Sequence, residues 1–279
     1  MEKKINLMQY ENPKVPHEVN VSKISEIGSF FKMVVAIAII LSALFAATYL
    51  LARFFAAFIP YSVEASLAKS FIEQSIESPY KEIADELQNL SLKLAKNMNA
   101  PEDMPLHVSI IKDNEQNAFA TLGGYIFVTE GLLKSVESEN ALSMVLAHEI
   151  AHIKNKDPIT MVASSATFSF ITAIVFGADA GFFENSVSIT SSSFSRAQEE
   201  RADKDALLAL KNYYGHTFGA EEFFQKILKD EKFSIKFLSS HPDTQKRIEY
   251  ILQTQENAAK AELKPLSKAI LSMQKAQDI

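Results

Sequence analysis

A chain of 279 residues, 47% of them hydrophobic and with only 8 glycines and 9 prolines, has the composition of a folded domain carrying a membrane element, which excludes a low-complexity or disordered protein. A formal charge of −6, with no basic cluster interleaved with aromatics, argues against nucleic acid as a partner. The absence of cysteine excludes disulfides and thiolate metal sites but leaves the redox compartment open.

The tail 1–32 leads into Met33–Leu51, nineteen residues without a charge. As a helix this run spans about 28 Å, close to the hydrocarbon thickness of a bilayer. A buried core helix would need apolar partners on every side. A cleaved signal peptide would have a shorter leader and a recognisable cleavage site. The segment 33–52 is therefore expected to be an uncleaved signal anchor. Lys3, Lys4, Lys14, Lys23 and Lys32 precede it, whereas Arg53 and then Lys69 follow. The positive-inside rule places 1–32 in the cytoplasm and the rest of the chain outside it, in the periplasm if the source is Gram-negative.

From Ser62 to Met98 the pattern is helix-prone, with apolar residues at Ile83, Leu87, Leu90 and Leu94, and Asn99–Asp103 breaks it. This stretch is expected to form a helical cover, 62–98, over a catalytic domain spanning 62–257. Ala118–Thr121 and Tyr125–Thr129 are short β-prone runs around Gly123-Gly124, a hairpin signal. An edge strand there, at Ala118, Phe119 and Ala120, would pair with an extended substrate backbone. An ordinary core hairpin has the same pattern.

The helical period at Leu142, Val145, Leu146, Ile150 and Ile153 carries His148-Glu149-Ile150-Ala151-His152, an HExxH motif, and stop signals follow from Lys154 to Pro158. Residues one turn apart share a helix face, so His148 and His152 present two imidazoles to one metal ion. Glu149 lies beside them as the general base for water. A catalytic zinc takes a third protein ligand, and Glu199 in the second helical stretch, Ser195 to Leu210, is the candidate. Glu200 competes for that role from about a quarter turn away. Asp203, one turn after Glu199, is positioned to accept the ring N–H of a ligand histidine, His148 first among them. Without the upstream motif the same charged run would be a solvated helix face. The apolar stretch Met161–Phe176 is short and polar for a span, and one crossing there would separate the ligands across the bilayer. It is expected to pack in or against the catalytic domain. Ser191–Ser193 would form a lid or a plain linker.

His241 precedes Pro242 at the start of a helix through Arg247, Ile248 and Ile251. Its imidazole is a candidate donor to the oxyanion of a tetrahedral intermediate, the alternative being a histidine that caps that helix. His17, His107 and His216 have no comparable context. The tail 258–279 is another helical run, interrupted by Pro265.

His148–His152 followed by Ser195-Arg-Ala-Gln-Glu199-Glu-Arg-Ala-Asp203 resembles the HExxH and SRxxExxAD pair of the HtpX-like zinc metallopeptidases, relatives of the CaaX prenyl endopeptidases. Asn117–Leu133 resembles that family's strand and turn ahead of the catalytic helix, and Ser239–Ile248 its SxHP...RI segment. The resemblance runs from Leu106 to Leu252, about half the chain. It implies a mainly α fold with a small β-sheet (α+β), a zincin-type domain behind a transmembrane helix, and one Zn2+ per chain. It also implies polypeptide substrates, misfolded or near the bilayer, and a role in envelope or membrane protein quality control. CaaX-type processing would call for a chamber of several spans, where one is found. A membrane-tethered chaperone or scaffold with little turnover is the alternative from another class.

Overall fold

The computed structural model describes residues 26–56, 58–72, 80–165, 194–229, 241, 244–254 and 261–276. The chain divides into two units, Met1–Leu44 and Phe45–Ile279. The described part of the first lies in helix α1 (Glu26–Ala56), whose final turns belong to the second. Among the described residues α1 is the one helix long and apolar enough to cross a membrane, and most of its large apolar side chains, among them Ile27, Phe31, Ile40, Leu50 and Phe55, are exposed.

The second unit is mainly helical with a small mixed sheet, the expected α+β class. Strands β1 (His107–Ile111), β2 (Ala118–Thr121) and β3 (Tyr125–Thr129) are ordered β1-β3-β2. β1 runs parallel to β3, and β2 pairs antiparallel with it, Phe119 opposite Phe127 and Ala120 opposite Ile126. The hairpin signal is where the pattern placed it, and β2 is an edge. Gly123 and Gly124 take φ of 72° and 79° in the connecting turn. A Cβ on Gly124 would stand 1.9 Å from the carbonyl oxygen of Pro105, so only glycine fits. The other edge is closed by a side chain: the Gln88 amide donates to the Leu106 carbonyl and accepts from Val108 N–H.

The helix-prone region before the sheet holds two helices, α2 (Tyr61–Ile72) and α3 (Lys81–Asn97), with 73–79 outside the described residues. α3 buries the stripe Ile83, Ala84, Leu87, Leu94 and Ala95 against the core. A short α4 (Glu130–Ser135) leads to α5 (Glu139–Lys154), capped by Ser138, whose hydroxyl accepts from Ala141 N–H. α5 is buried from Asn140 to Ile153, the central helix of the unit. Pro158 does more than stop it: a new helical stretch begins at 157 and is described to 165, Pro158 lying in its first turn. The rest of the 161–176 segment and Ser191–Ser193 lie outside the described residues.

α6 (Arg196–Tyr214) packs along α5 and buries Glu199, Ala202, Asp203, Ala206 and Leu210. α7 (Glu222–Lys229) and α8 (Thr244–Gln253) follow, and α9 (Lys268–Lys275) ends the described chain. Residues 261–267 are not helical, unlike the run expected from 258. Pro265 blocks a helix here, and the backbone binds α5 instead: Glu139 N–H donates to the Lys264 carbonyl and Lys264 N–H to the Asn140 side chain. Leu266, Ile270 and Met273 then enter the main core.

Candidate metal centre

Helix periodicity stacks His148 above His152 on the face of α5 that meets α6. Their Nε2 atoms are 3.0 Å apart. From α6, Glu199 places one carboxylate oxygen 3.4 Å from His148 Nε2 and the other 3.4 Å from His152 Nε2. Glu200 is 64% exposed at its side chain and pairs with Lys204 instead. His241 brings its Nδ1 to 3.1 Å from Glu199 and 3.3 Å from His148 Nε2. One atom from each of these four residues lies within 4.8 Å of the others, and all four residues are buried.

Each histidine of α5 is oriented by a carboxylate. Asp203 lies 3.0 Å from His148 Nδ1, and Asp157 lies 2.9 Å from His152 Nδ1. With the Nδ1 protons directed at these acceptors, both Nε2 atoms face one another as lone pairs. Two lone pairs 3.0 Å apart repel unless a proton or a metal ion lies among them. Separations of 3.0 to 3.4 Å between donor atoms fit a tetrahedral ion, for which bonds of about 2.0–2.1 Å place ligands roughly 3.3 Å apart. The charges point the same way. Four buried carboxylates, Glu149, Asp157, Glu199 and Asp203, face two guanidinium groups, buried Arg247 and partly exposed Arg201. The balance suits a divalent cation with neutral imidazoles.

Burial pushes the Glu199 carboxyl up, yet His241 and His148 hold it well below the usual carboxylate range. Burial alone would lower His152, but Asp157 and Glu199 drive it up to about 10. For His241 burial wins, and its imidazole is pushed down. Asp203, raised by burial, is brought to about 2 chiefly by Arg247 and His148.

Glu149 points to the other side of the site. Its Oε2 accepts the backbone N–H of Ala120 at 2.8 Å, and its buried Oε1 has no hydrogen-bond donor among the described residues. That oxygen lies 3.6 Å from His241 Nε2. Ala118, Phe119 and Ala120 thus form an edge strand directly against the HExxH helix.

The sequence pattern assigns no role to three residues here. Asp157 falls in the stop signal after α5, yet besides His152 it binds Gln198 at 2.9 Å and Arg201 at 2.7 Å. Arg247 of α8 grips Asp203 with two bonds of 2.8 Å and reaches Glu199 at 2.8 Å, tying the two carboxylates together. Phe194 stacks on the His152 ring at 3.8 Å between centroids. The SxHP...RI resemblance pointed at Arg247, and no local signal pointed at the other two.

Residues 82–255, well over half of the chain, match the model described as Peptidase family M48. The chain belongs to this family. Over 182 residues it is 26% identical to a putative beta-barrel assembly-enhancing protease of Vibrio cholerae, covering 58% of this chain and 37% of the relative. Over 157 residues it is 28% identical to the mitochondrial metalloendopeptidase OMA1 of Schizosaccharomyces pombe, covering 53% and 46%. A protease HtpX homolog of Bacillus velezensis is 29% identical over 220 residues, covering 63% and 71%. The chain thus spans less than half the length of the first two relatives. The family's model is that of a peptidase, and these relatives are named as proteases or a metalloendopeptidase.

Proposed function

We propose that this M48 chain is a membrane-anchored, zinc-dependent endopeptidase acting on proteins at or near the bilayer, in envelope or membrane quality control. The observation that carries the reading is the convergence of His148, His152 and Glu199, two imidazoles and a carboxylate from two helices, beside a carboxylate with a free oxygen, Glu149. His148, His152 and Glu199 would hold one zinc ion. Zinc so held supplies Lewis acidity, which polarises a scissile carbonyl and acidifies water toward a pKa of about 7.

This chain's residues do the rest. Glu149 takes the proton of the attacking water on its free oxygen and delivers it to the leaving amine, while Ala120 N–H fixes the other oxygen. Asp203 and Asp157 hold the two rings with Nε2 turned inward. The edge of β2 at Ala118–Ala120, apart from the Ala120 N–H that Glu149 holds, aligns an extended substrate backbone. His241 donates from Nε2 to the oxyanion, while its Nδ1 lies 3.1 Å from Glu199.

Glu149→Gln in the full chain should keep zinc and lose hydrolysis by at least about 100-fold, the scale of a general base. Undiminished turnover would remove Glu149 from its role. The same variant separates the chaperone or scaffold alternative, because a scaffold would still complement a deletion strain. For sidedness, α1 is the anchor, residues 1–32 are cytoplasmic and the catalytic domain is extracytoplasmic. The chain has no cysteine of its own, so an exposed Glu102→Cys reports sidedness cleanly. It should react with an impermeant maleimide in intact spheroplasts; reaction only after lysis would reverse the topology.

A further inference from the structure

The turn that leaves the HExxH helix contains an unusual backbone. Lys156 adopts φ of 60°, the left-handed region that L-residues with long side chains seldom occupy. Its neighbour Asp157 is the residue that holds His152. A strained conformation of this kind persists where its surroundings enforce it, and the surroundings here are specific. The Lys156 ammonium reaches Glu64 at 2.5 Å and the Ile59 carbonyl at 3.1 Å, and lies 3.0 Å from the centroid of the Tyr61 ring. Glu64 is only 2% exposed and Tyr61 6%. All three groups come from the start of α2 and the residues just before it. Tyr61 also donates from its hydroxyl to the Lys154 carbonyl at 3.4 Å.

The opposite side of the same turn is tied to α6. Lys154 and Asn155 both bind Asp205, each at 3.0 Å, and Asp157 binds Gln198 and Arg201. The carboxylate that sets the His152 ring is thus suspended between α6 and a cation socket on α2, and Lys156 is the tie to α2.

We propose that Lys156 is a positioning residue for the metal centre: the socket of Glu64, Ile59 and Tyr61 locks the left-handed turn, which holds Asp157 against His152 and so sets zinc affinity. The inference rests on the reading of His148, His152 and Glu199 as zinc ligands. Tyr61 follows the end of α1 at Ala56 by five residues, so the socket lies close in sequence to that helix.

The test uses the full chain in detergent, with zinc affinity measured by chelator competition and melting measured after chelation. The double variant Glu64→Gln with Lys156→Met removes both charges together, leaving no buried ion unpaired, so its melting temperature should move little. Its zinc affinity should fall about tenfold, the lower end for residues that orient ligands from outside the coordination sphere. Glu64→Asp keeps both charges but draws the socket back by one methylene, and should weaken zinc at least about threefold while the fold stays intact. This second variant decides the matter if the double one does not fold. Affinities within twofold of wild type in the folded variants would overturn the positioning role. A wild-type chain that binds no zinc would instead remove the ligand assignment, and this inference with it.

Discussion

Asp203→Asn is the sharpest probe of how the centre is held together. Asp203 accepts three bonds: His148 Nδ1 at 3.0 Å, and Arg247 Nε and Nη2 at 2.8 Å each. Asparagine has one oxygen and one NH2. If its oxygen stays with His148 and Nη2, the NH2 confronts the Nε–H of Arg247; the flipped amide confronts His148 and Nη2 instead. Either way a donor meets a donor inside a site where Asp203 is 1% exposed. Losing charge-assisted bonds and leaving a buried donor unmet costs about 2–4 kcal/mol. For a folded unit of this size that lowers the melting temperature by roughly 4–15 °C. Zinc affinity should fall a further step, about 10- to 100-fold, because His148 loses the carboxylate that fixes its tautomer. Chelator competition measures the affinity, and differential scanning fluorimetry of the chelated protein measures the stability. A matched control exists on the same helix: Glu200→Gln breaks the exposed pair with Lys204 and should change neither quantity. A variant that melts early but binds zinc as wild type does would refute the argument, reducing Asp203 to a partner of Arg247.

After chelation the centre should respond to pH in two directions. His152 is pushed up to about 10 from an ordinary value of 6.5, so the stability it contributes is full below about pH 6.5 and is lost as pH rises through 10. Asp203, held near 2 against an ordinary 3.8, contributes stability that is present above pH 3.8 and is lost as pH falls through 2. Melting curves of chelated protein from pH 6 to 10 should therefore decline in a way that His152→Gln abolishes; a flat profile in wild type would contradict the His152 assignment. Gly124→Ala drives a methyl into the Pro105 carbonyl and should cost more than about 3 kcal/mol, read as a melting temperature lowered by at least roughly 6 °C. Gln88→Leu uncovers the β1 edge, leaving Val108 N–H and the Leu106 carbonyl without partners, and should cost about 2 kcal/mol by urea titration.

The cluster of His148, His152 and Glu199 was legible wherever helix periodicity alone decides geometry. His148 and His152, and Glu199 with Asp203, are pairs one turn apart. The choice of Glu199 over Glu200 fell to which face of α6 is buried, a property of the packing with α5. The hairpin was legible because Gly123-Gly124 sits between two β-prone runs. Asp157 was hidden for a definite reason: it lies beyond the end of α5, and the chain returns it to His152 only because Lys156 takes a left-handed conformation that propensity rules disfavour. That conformation in turn depends on Glu64, 92 residues away in sequence. Arg247 and Phe194 enter through contacts of the same long range.

The two kinds of residue answer different physical demands. The pairing of His148 with His152 is written locally, within one helix, because residues one turn apart share a face. The supports must cancel charge in a buried space: two carboxylates that orient histidines cannot remain ionised there without cations, and Arg247 and Arg201 supply these from separate positions on α8 and α6. No pattern within one helix fixes where such a cation must come from, since any element that passes within reach can deliver it. Arg247 of α8 stands between Asp203 and Glu199 of α6. Arg247→Met, which keeps the length of the stem and removes the charge, tests this coupling. It leaves Asp203 and Glu199 facing each other across a buried gap without a cation, a cost of about 3–5 kcal/mol when zinc is absent. Zinc offsets part of that charge, so saturating zinc should recover more stability in the variant than in wild type. Equal zinc-induced stabilisation in the two proteins would show that Arg247 and the metal do not share the same carboxylates.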